Sequence, residues 1–514
     1  MDINRRNFLF GSAAAMTLAG CSTAKVGARE LKPGEKYAVA MIGFGRQAHG
    51  LLSQFMNQEL GVGVQVTAVC DCDKVRLAEG VKLVDDGYAK QGVSSACRGF
   101  ADFRDVIADP AIDAVCIATP DHWHAYISVE AMKHGKDVYC EKPLTFSIEE
   151  AKQVMAAQEK YGRVFQTGSM QRSWPVFRTA AMIVRNGIIG DVMYVDANYG
   201  RGGEKLGGPS HPVRFWDEPE KVAEESKPNP DVDWNMWLGP AKWRPYSDKL
   251  APRGSHRFFP MFWRFDDDIG SGYNGDWGAH HLDIAQWGLD MDESGPYRII
   301  RSDEPYSTNL FHGGRRQFGM KMLFRKPYGT VELYHGPFSV LSSRGGWGTV
   351  FYGTNGIVAV NRGKIAVWQG TGLVKPTAEI RKAIGDATFM PDKIVAASVG
   401  KDYGTDATDK KDDRLTSVLA RLTKRYDLDH AKVQLYRSPN QVRNFCECIA
   451  TRKRTISPAE VGGRGATLCL LCNMSYRYDT GFEWDPVKMD FADGNPKGLS
   501  IRREECRNGW EIRV

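Results

Sequence analysis

The stretch from Tyr37 to Ala48 constrains this chain more than any other. Tyr37 to Ile42 is a continuous apolar run of strand length, Gly43-Phe44-Gly45-Arg46-Gln47-Ala48 follows at once, and a helical pattern begins there. The spacing is G-x-G-x-x-A between a strand and a helix, and that context makes the glycines informative. Gly43 permits a tight turn, and Gly45 lets the backbone approach a pyrophosphate. Ala48 keeps helix and strand close, while the helix N-terminus faces the negative charge. The turn predicts a dinucleotide site along Gly43, Phe44, Gly45, Arg46 and Gln47.

Further βα units follow. Val64 to Cys70 reads as the second strand and ends at Asp71. An acidic side chain there can accept hydrogen bonds from both hydroxyls of an adenosine ribose. A 2′-phosphate would meet repulsion from Asp71 and Asp73, so NAD is expected in preference to NADP. Ala114 to Ala118 is another apolar strand, ending in Thr119-Pro120-Asp121-His122-Trp123-His124, with a helix from there to His134. Val138 to Cys140 is a short buried strand between Gly135 and Pro143, and Ser147 with Glu150 forms a capping box that opens the next helix. Arg163 to Gln166 closes the series. Alternation of this kind predicts a doubly wound parallel sheet over 37–166.

After Gln166 the texture changes. Trp, Pro and Gly become frequent, as in Asp233 to Pro240, and runs such as Val331 to Tyr334 and Gly356 to Val360 suggest antiparallel strands. Two helical patterns lie between Asn440 and Arg477, and the charged stretch near Lys401 to Arg414 reads as an exposed loop. The expectation is an N-terminal Rossmann domain over 37–166 and a C-terminal α/β domain with a largely antiparallel sheet over 167–514. A chain of 514 residues exceeds what one core supports, which agrees with two domains. The net charge is only +6 and no dense basic block occurs, which argues against nucleic acid or a membrane surface as partner of the folded part.

Two stretches offer chemistry. Glu141-Lys142-Pro143 sits at the carboxyl end of a predicted parallel strand, where open α/β sheets bind ligands. Gly275-Asp276-Trp277-Gly278-Ala279-His280-His281-Leu282-Asp283 opens a helix that runs to about Leu289. Asp276 and His280 are four apart and so share a helical face, where a carboxylate can orient an imidazole for acid/base work. Alternatives are a plain cap with packed histidines, or a metal site from His280, His281 and Asp283; adjacent histidines diverge on a helix, and no metal is expected. Trp234, Trp237, Trp263 and Trp277 could stack on a sugar face or fill the core.

Residues 1–36 read as a targeting segment and tether. Arg5-Arg6 precedes a short apolar run, and Leu18-Ala19-Gly20-Cys21 has the form of a lipoprotein cleavage box. Export by the twin-arginine route is expected, ending in a periplasmic or cell-envelope protein whose only membrane attachment is a lipid on Cys21. Of the eleven cysteines, Cys70, Cys116 and Cys140 fall in buried strands. Cys446, Cys448, Cys469 and Cys472 could form a zinc site, but Cys469 and Cys472 lie in an apolar helical run, which favours packing.

Taken together, the Gly43-to-Ala48 turn, Asp71, Thr119-Pro120 with His124, Glu141-Lys142-Pro143 and Asp276-x-x-x-His280 resemble the glucose–fructose oxidoreductase/inositol dehydrogenase family, Gfo/Idh/MocA, in an exported twin-arginine branch. The resemblance covers nearly everything after the tether. It implies NAD or NADP on the first domain, and a second domain that presents its sheet to a carbohydrate and to another subunit, hence a homo-oligomer. Lys142, Asp276 and His280 are implied as the catalytic group, with Asp276 holding the His280 tautomer. Thr119, His124 and Glu141 would line the cofactor side, and Gln171 and Arg172 would reach the nicotinamide ribose or substrate. The family also contains NAD-dependent glycosidases acting on acetylated galactosamine, whose signature is not evident here. Three functions follow: hydride transfer on a sugar, polyol or glycoside; glycoside cleavage through temporary oxidation; or a cofactor-bearing binding lipoprotein without turnover.

Overall fold

The computed structural model describes residues 29–197, 225–252, 262–266, 268–272, 274–306, 317–335, 348–370, 406–407, 414–478, 480–494, 498–503, 505–507 and 509–514. Arg5-Arg6, Cys21 and nearly all of the charged stretch 401–414 lie outside the described residues.

Six strands form the first sheet: β1 (Tyr37–Ile42), β2 (Val64–Cys70), β3 (Arg98–Phe100), β4 (Ala114–Ile117), β5 (Asp137–Cys140) and β6 (Phe165–Thr167). Their order is β3-β2-β1-β4-β5-β6 and every pairing is parallel. The strands β1, β4 and β5 are buried throughout, as continuous apolar runs in a sheet covered on both faces must be. The helices that cover it are α1 (Arg46–Phe55), α2 (Lys74–Lys90), α3 (Phe103–Ala108), α4 (Asp121–Lys133) and α5 (Ile148–Tyr161). The expected capping box forms at Ser147 and Glu150, and Gly162 ends α5 in a left-handed conformation. The chain reverses its winding between β1 and β4, which opens a crevice at their carboxyl ends.

Beyond α6 (Pro175–Arg185), the second sheet begins with β7 (Val192–Ala197). After α7 (Trp234–Leu238) and α8 (Ala279–Gly288) it continues with β8 (Arg298–Tyr306), β9 (Gln317–Lys326), β10 (Gly329–His335), β11 (Thr349–Gly353), β12 (Gly356–Asn361) and β13 (Lys364–Gln369), with shorter strands at its edges. Only β7 and β10 pair in parallel among its described neighbours, so the sheet is largely antiparallel. One apolar core joins α6, α8 and the helix Ala459–Tyr478 to this sheet, through Phe177, Leu282, Phe324, Phe351 and Leu471.

The stretch 167–514 is not a separate body. The helix Gln441–Thr451 returns to the first sheet, where Val442, Phe445 and Cys446 pack with Val39, Phe55 and Tyr139. Ala459 and Ala466 pack in the other core of that sheet, beside Val138 and Phe165. Cys469 and Cys472 are buried in the helix Ala459–Tyr478, within the core of the second sheet.

Candidate active site

A cavity of about 720 Å³ opens at the carboxyl ends of β1, β2, β4 and β5. One wall is the Gly43-to-Gln47 turn. Gly43 has φ of 81°, and a Cβ there would lie 2.8 Å from the Thr119 backbone nitrogen, so both conformation and space demand glycine. The N-cap of α1 is Gly45, whose helix has no side-chain cap and no acidic residue in its first turn. Its first amides are therefore left to an outside acceptor, and a Cβ on Gly45 would meet nothing nearer than Arg76 Nη1 at 3.7 Å. Such a cradle fits a dinucleotide pyrophosphate.

Asp71 closes this wall. Its Oδ2 accepts from the Phe44 amide at 2.7 Å and its Oδ1 from the Asp73 amide at 2.8 Å. Burial pushes the Asp71 carboxyl up, while Arg76 and these amides oppose the shift. Asp73 caps α2 by accepting from the Val75 and Arg76 amides. The Phe44 ring is fully buried and touches the position a Cβ on Gly80 would take, so Phe44 meets the cavity through its backbone.

The opposite wall carries titratable groups. Lys142 Nζ donates to Asp276 Oδ1 at 2.7 Å and to the Asp276 carbonyl at 2.9 Å. Arg264 Nε lies 3.4 Å from the same Oδ1. Burial alone would raise the Asp276 carboxyl, but Lys142 and Arg264 hold it well below the usual carboxylate range. His280 lines the same wall. Burial first, then the Lys142 and Arg362 charges, push its imidazole well below its ordinary value, so the ring is neutral at neutral pH. Glu141 accepts from Gln47 Nε2 at 3.0 Å and from the Lys142 amide at 3.2 Å. A Cβ on Gly168 would strike the Glu141 carboxyl at 2.8 Å, which explains a glycine just past β6. A neutral base and a held ammonium thus share one cavity with an anion cradle.

Two family models match this chain. One, described as an oxidoreductase family NAD-binding Rossmann fold, covers residues 37–169; the other, the oxidoreductase family C-terminal alpha/beta domain, covers 204–314. The chain belongs to the Gfo/Idh/MocA family. It is 41% identical over 90 residues to an uncharacterized oxidoreductase, YrbE, of Bacillus subtilis (18% of this chain, 26% of that one). It is 29% identical over 165 residues to a glycosyl hydrolase family 109 protein of Shewanella woodyi (31% of this chain, 34% of that one). Each of these matches spans about a third or less of the relative's length. A levoglucosan dehydrogenase solved with NADH and levoglucosan shares the fold at 16% identity and a TM-score of 0.51, over 87% of this chain and 99% of the other.

Within this Gfo/Idh/MocA chain, Gly43, Phe44, Gly45, Arg46, Gln47, Asp71, Thr119, His124, Glu141, Lys142, Asp276 and His280 all line the one cavity. Arg172 does not. It is 1% exposed, and its guanidinium is bound on all sides by Asp283 and Asp292 at 2.7–3.0 Å. Next to a domain junction an arginine reads equally as a ligand contact or a plain surface cation, and the carboxylates that bind it instead lie more than a hundred residues on. Gln171, also 1% exposed, is likewise absent from the cavity lining.

Asp276 does not orient His280 by a hydrogen bond: the His280 Nδ1 is buried without a partner, and the Asp276 carboxylate is taken by Lys142 and Arg264. The reason is local. Asn274–Gly278 is a π-helical turn that precedes α8, so the i,i+4 register of a continuous α-helix does not run through it. His281 and Asp283 also diverge, His281 against Gly348 and Asp283 onto Arg172. His124 is buried between the Pro143 carbonyl at 2.7 Å and the Thr119 carbonyl at 3.0 Å, bracing the loops on either side of the cavity floor. Trp237, Trp263 and Trp277 reach the cavity, whereas Trp234 stacks on Trp237 outside it. Arg76, Lys249 and Arg362 line the cavity too, and no sequence motif marks them.

Proposed function

We propose that this protein is an NAD-dependent oxidoreductase that transfers hydride between a carbohydrate hydroxyl carbon and nicotinamide. The observation that carries the reading is one cavity that joins the Gly43–Gln47 cradle and Asp71 to Lys142 and a neutral His280. Bound along that cradle, the dinucleotide supplies the hydride acceptor. Lys142 donates to the reacting oxygen and stabilises its negative charge. His280 takes the hydroxyl proton, for which a neutral ring is required. Asp276 holds the Lys142 ammonium in place from two atoms. NAD is preferred to NADP, because Asp71 and Asp73 would face a 2′-phosphate, and the Arg76 guanidinium on this wall lies 3.5 Å from Asp73 Oδ2. The test is chromatography of nucleotide released on denaturation, followed by a screen of sugars for cofactor reduction. Exclusive NADP(H), or no dinucleotide affinity, would sink the reading.

A second reading, redox-neutral cleavage of a glycoside through a transient keto-sugar, is favoured by the similarity to a glycosyl hydrolase family 109 protein. Glycosides incubated without added NAD separate the two. Many product molecules per protein support cleavage; one equivalent, with further turnover only on adding NAD, supports the dehydrogenase.

The twin-arginine pair Arg5-Arg6 and the box ending in Cys21 support export and lipid attachment. Changing both arginines to lysine is expected to trap the precursor in the cytoplasm, and normal processing of that variant would refute the route.

A further inference from the structure

The chemical wall of the cavity holds a cation that proton transfer does not use. Arg362 occupies the two-residue turn between β12 and β13, where Asn361 pairs with Lys364 and Gly363 takes φ of 74°. The turn fixes where the side chain starts, and the side chain runs into the cavity beside His280. Its guanidinium carbon lies 4.7 Å from the centroid of Trp277 and 5.5 Å from that of Trp174. The Nε is buried with no hydrogen-bond partner, and among the described residues the guanidinium makes no hydrogen bond and no ion pair. The neighbouring cations differ. Lys142 is held by Asp276 at 2.7 Å, and Arg264 is within ion-pair reach of it at 3.4 Å. Arg362 feels Asp276 only as a more distant charge.

A guanidinium offers its faces to aromatic rings and its N–H edge to anions. Here tryptophans take the faces and the edge is unused. That edge is a planar fork, and it matches a carboxylate at two points. We propose that Arg362 binds a carboxylate of the substrate, so that this site takes a uronic acid or its glycoside in preference to a neutral sugar. The proposal rests on the sugar-oxidising reading of the cavity and adds the class of sugar.

The experiment uses the NAD-loaded protein. Binding of D-glucuronate and D-galacturonate is compared with D-glucose and D-galactose by calorimetry, and cofactor reduction is followed in parallel. The acids are expected to bind about 10- to 100-fold more tightly than their neutral counterparts, the range of a charge-assisted hydrogen bond. Arg362→Met should erase that ratio, and Arg362→Lys, which keeps the charge and loses the fork, should leave part of it. Equal binding of acid and neutral sugar by the native protein overturns the proposal whether or not the variants fold. So does a ratio that survives in Arg362→Met, or tighter binding of glucose 6-sulfate than of glucuronate. Reduction by neutral sugars with no acid preference would leave the oxidoreductase reading standing and overturn this one. Arg362-dependent uronate binding without any net reduction would support the carboxylate contact and remove the plain dehydrogenase reading, leaving the redox-neutral one. Failure of every sugar to bind overturns both.

Discussion

The two walls of the cavity are built by opposite means. The cofactor wall is local: Gly43 to Gln47 are consecutive, and Asp71 reaches the Phe44 amide across one βα crossover. The chemical wall is assembled from afar: Lys142 and Asp276 are 134 residues apart, and Arg362 comes from a hairpin of the second sheet. A local wall depends on backbone conformation, which a single glycine can secure. A distant wall depends on whole elements packing correctly, so it needs buried polar clamps.

That contrast can be tested most strongly at Lys142 and His280. Lys142→Ala and His280→Ala are expected to lower kcat by a factor on the order of 100 to 10,000. NAD affinity should change little, since neither side chain belongs to the glycine turn. Titration of NAD by intrinsic fluorescence beside steady-state rates checks this. A parallel collapse of NAD affinity would mean that the two walls are not independent.

The clamp behind the distant wall comes next. Arg172 ties β6 and its following turn to Asp283 on α8, the helix that carries His280. Arg172→Met strands two carboxylates, one of them fully buried, and is expected to cost about 3–5 kcal/mol in chemical denaturation. A loss under about 1 kcal/mol, within the usual range for an exposed pair, would show that the clamp is dispensable.

A smaller effect is graded by pH. His122 on α4 is buried, and its Nε2 donates to the Trp237 carbonyl at 3.0 Å, joining the first sheet's helices to α7. Burial, then the Arg503 charge, lowers it from 6.5 to about 3. Between those values the unfolded chain binds a proton that the fold refuses. Stability therefore falls as pH drops through that window, by up to about 1.4 kcal/mol per pH unit from this group. His122→Gln should flatten the acid slope of denaturation midpoints above pH ~5, where the carboxylates such as Asp276 do not yet contribute. An unchanged slope would show that His122 is protonated in the fold.

How much of this was legible follows the same division. The strands β1, β2, β4 and β5 could be read because a continuous apolar run bounded by glycine or proline leaves few alternatives. The Ser147 capping box could be read because its hydrogen bonds stay within four residues. Arg172 reads in sequence as a contact to the nicotinamide ribose or substrate but belongs to an ion-pair cluster, since charge alone does not name its partner. Asp276 reads in sequence as the partner of His280 but pairs with Lys142, since one π turn shifts the helical register. Arg76 and Arg362 carried no signal: an arginine in α2 or in a hairpin turn looks like any solvated cation.

By itself the sequence determined the parallel fold of the first domain, the glycine cradle, and which residue types would gather at the strand ends. Each depends on backbone conformation and hydrophobic period over a few residues. The tertiary structure alone decided which carboxylate meets which cation, which way His280 faces, and that Gln441–Thr451 returns to the first sheet. Those outcomes depend on burial and on distances of a few ångströms between elements far apart in the chain. There, desolvation and pairing set the charge states, and neither has a period that a sequence can display.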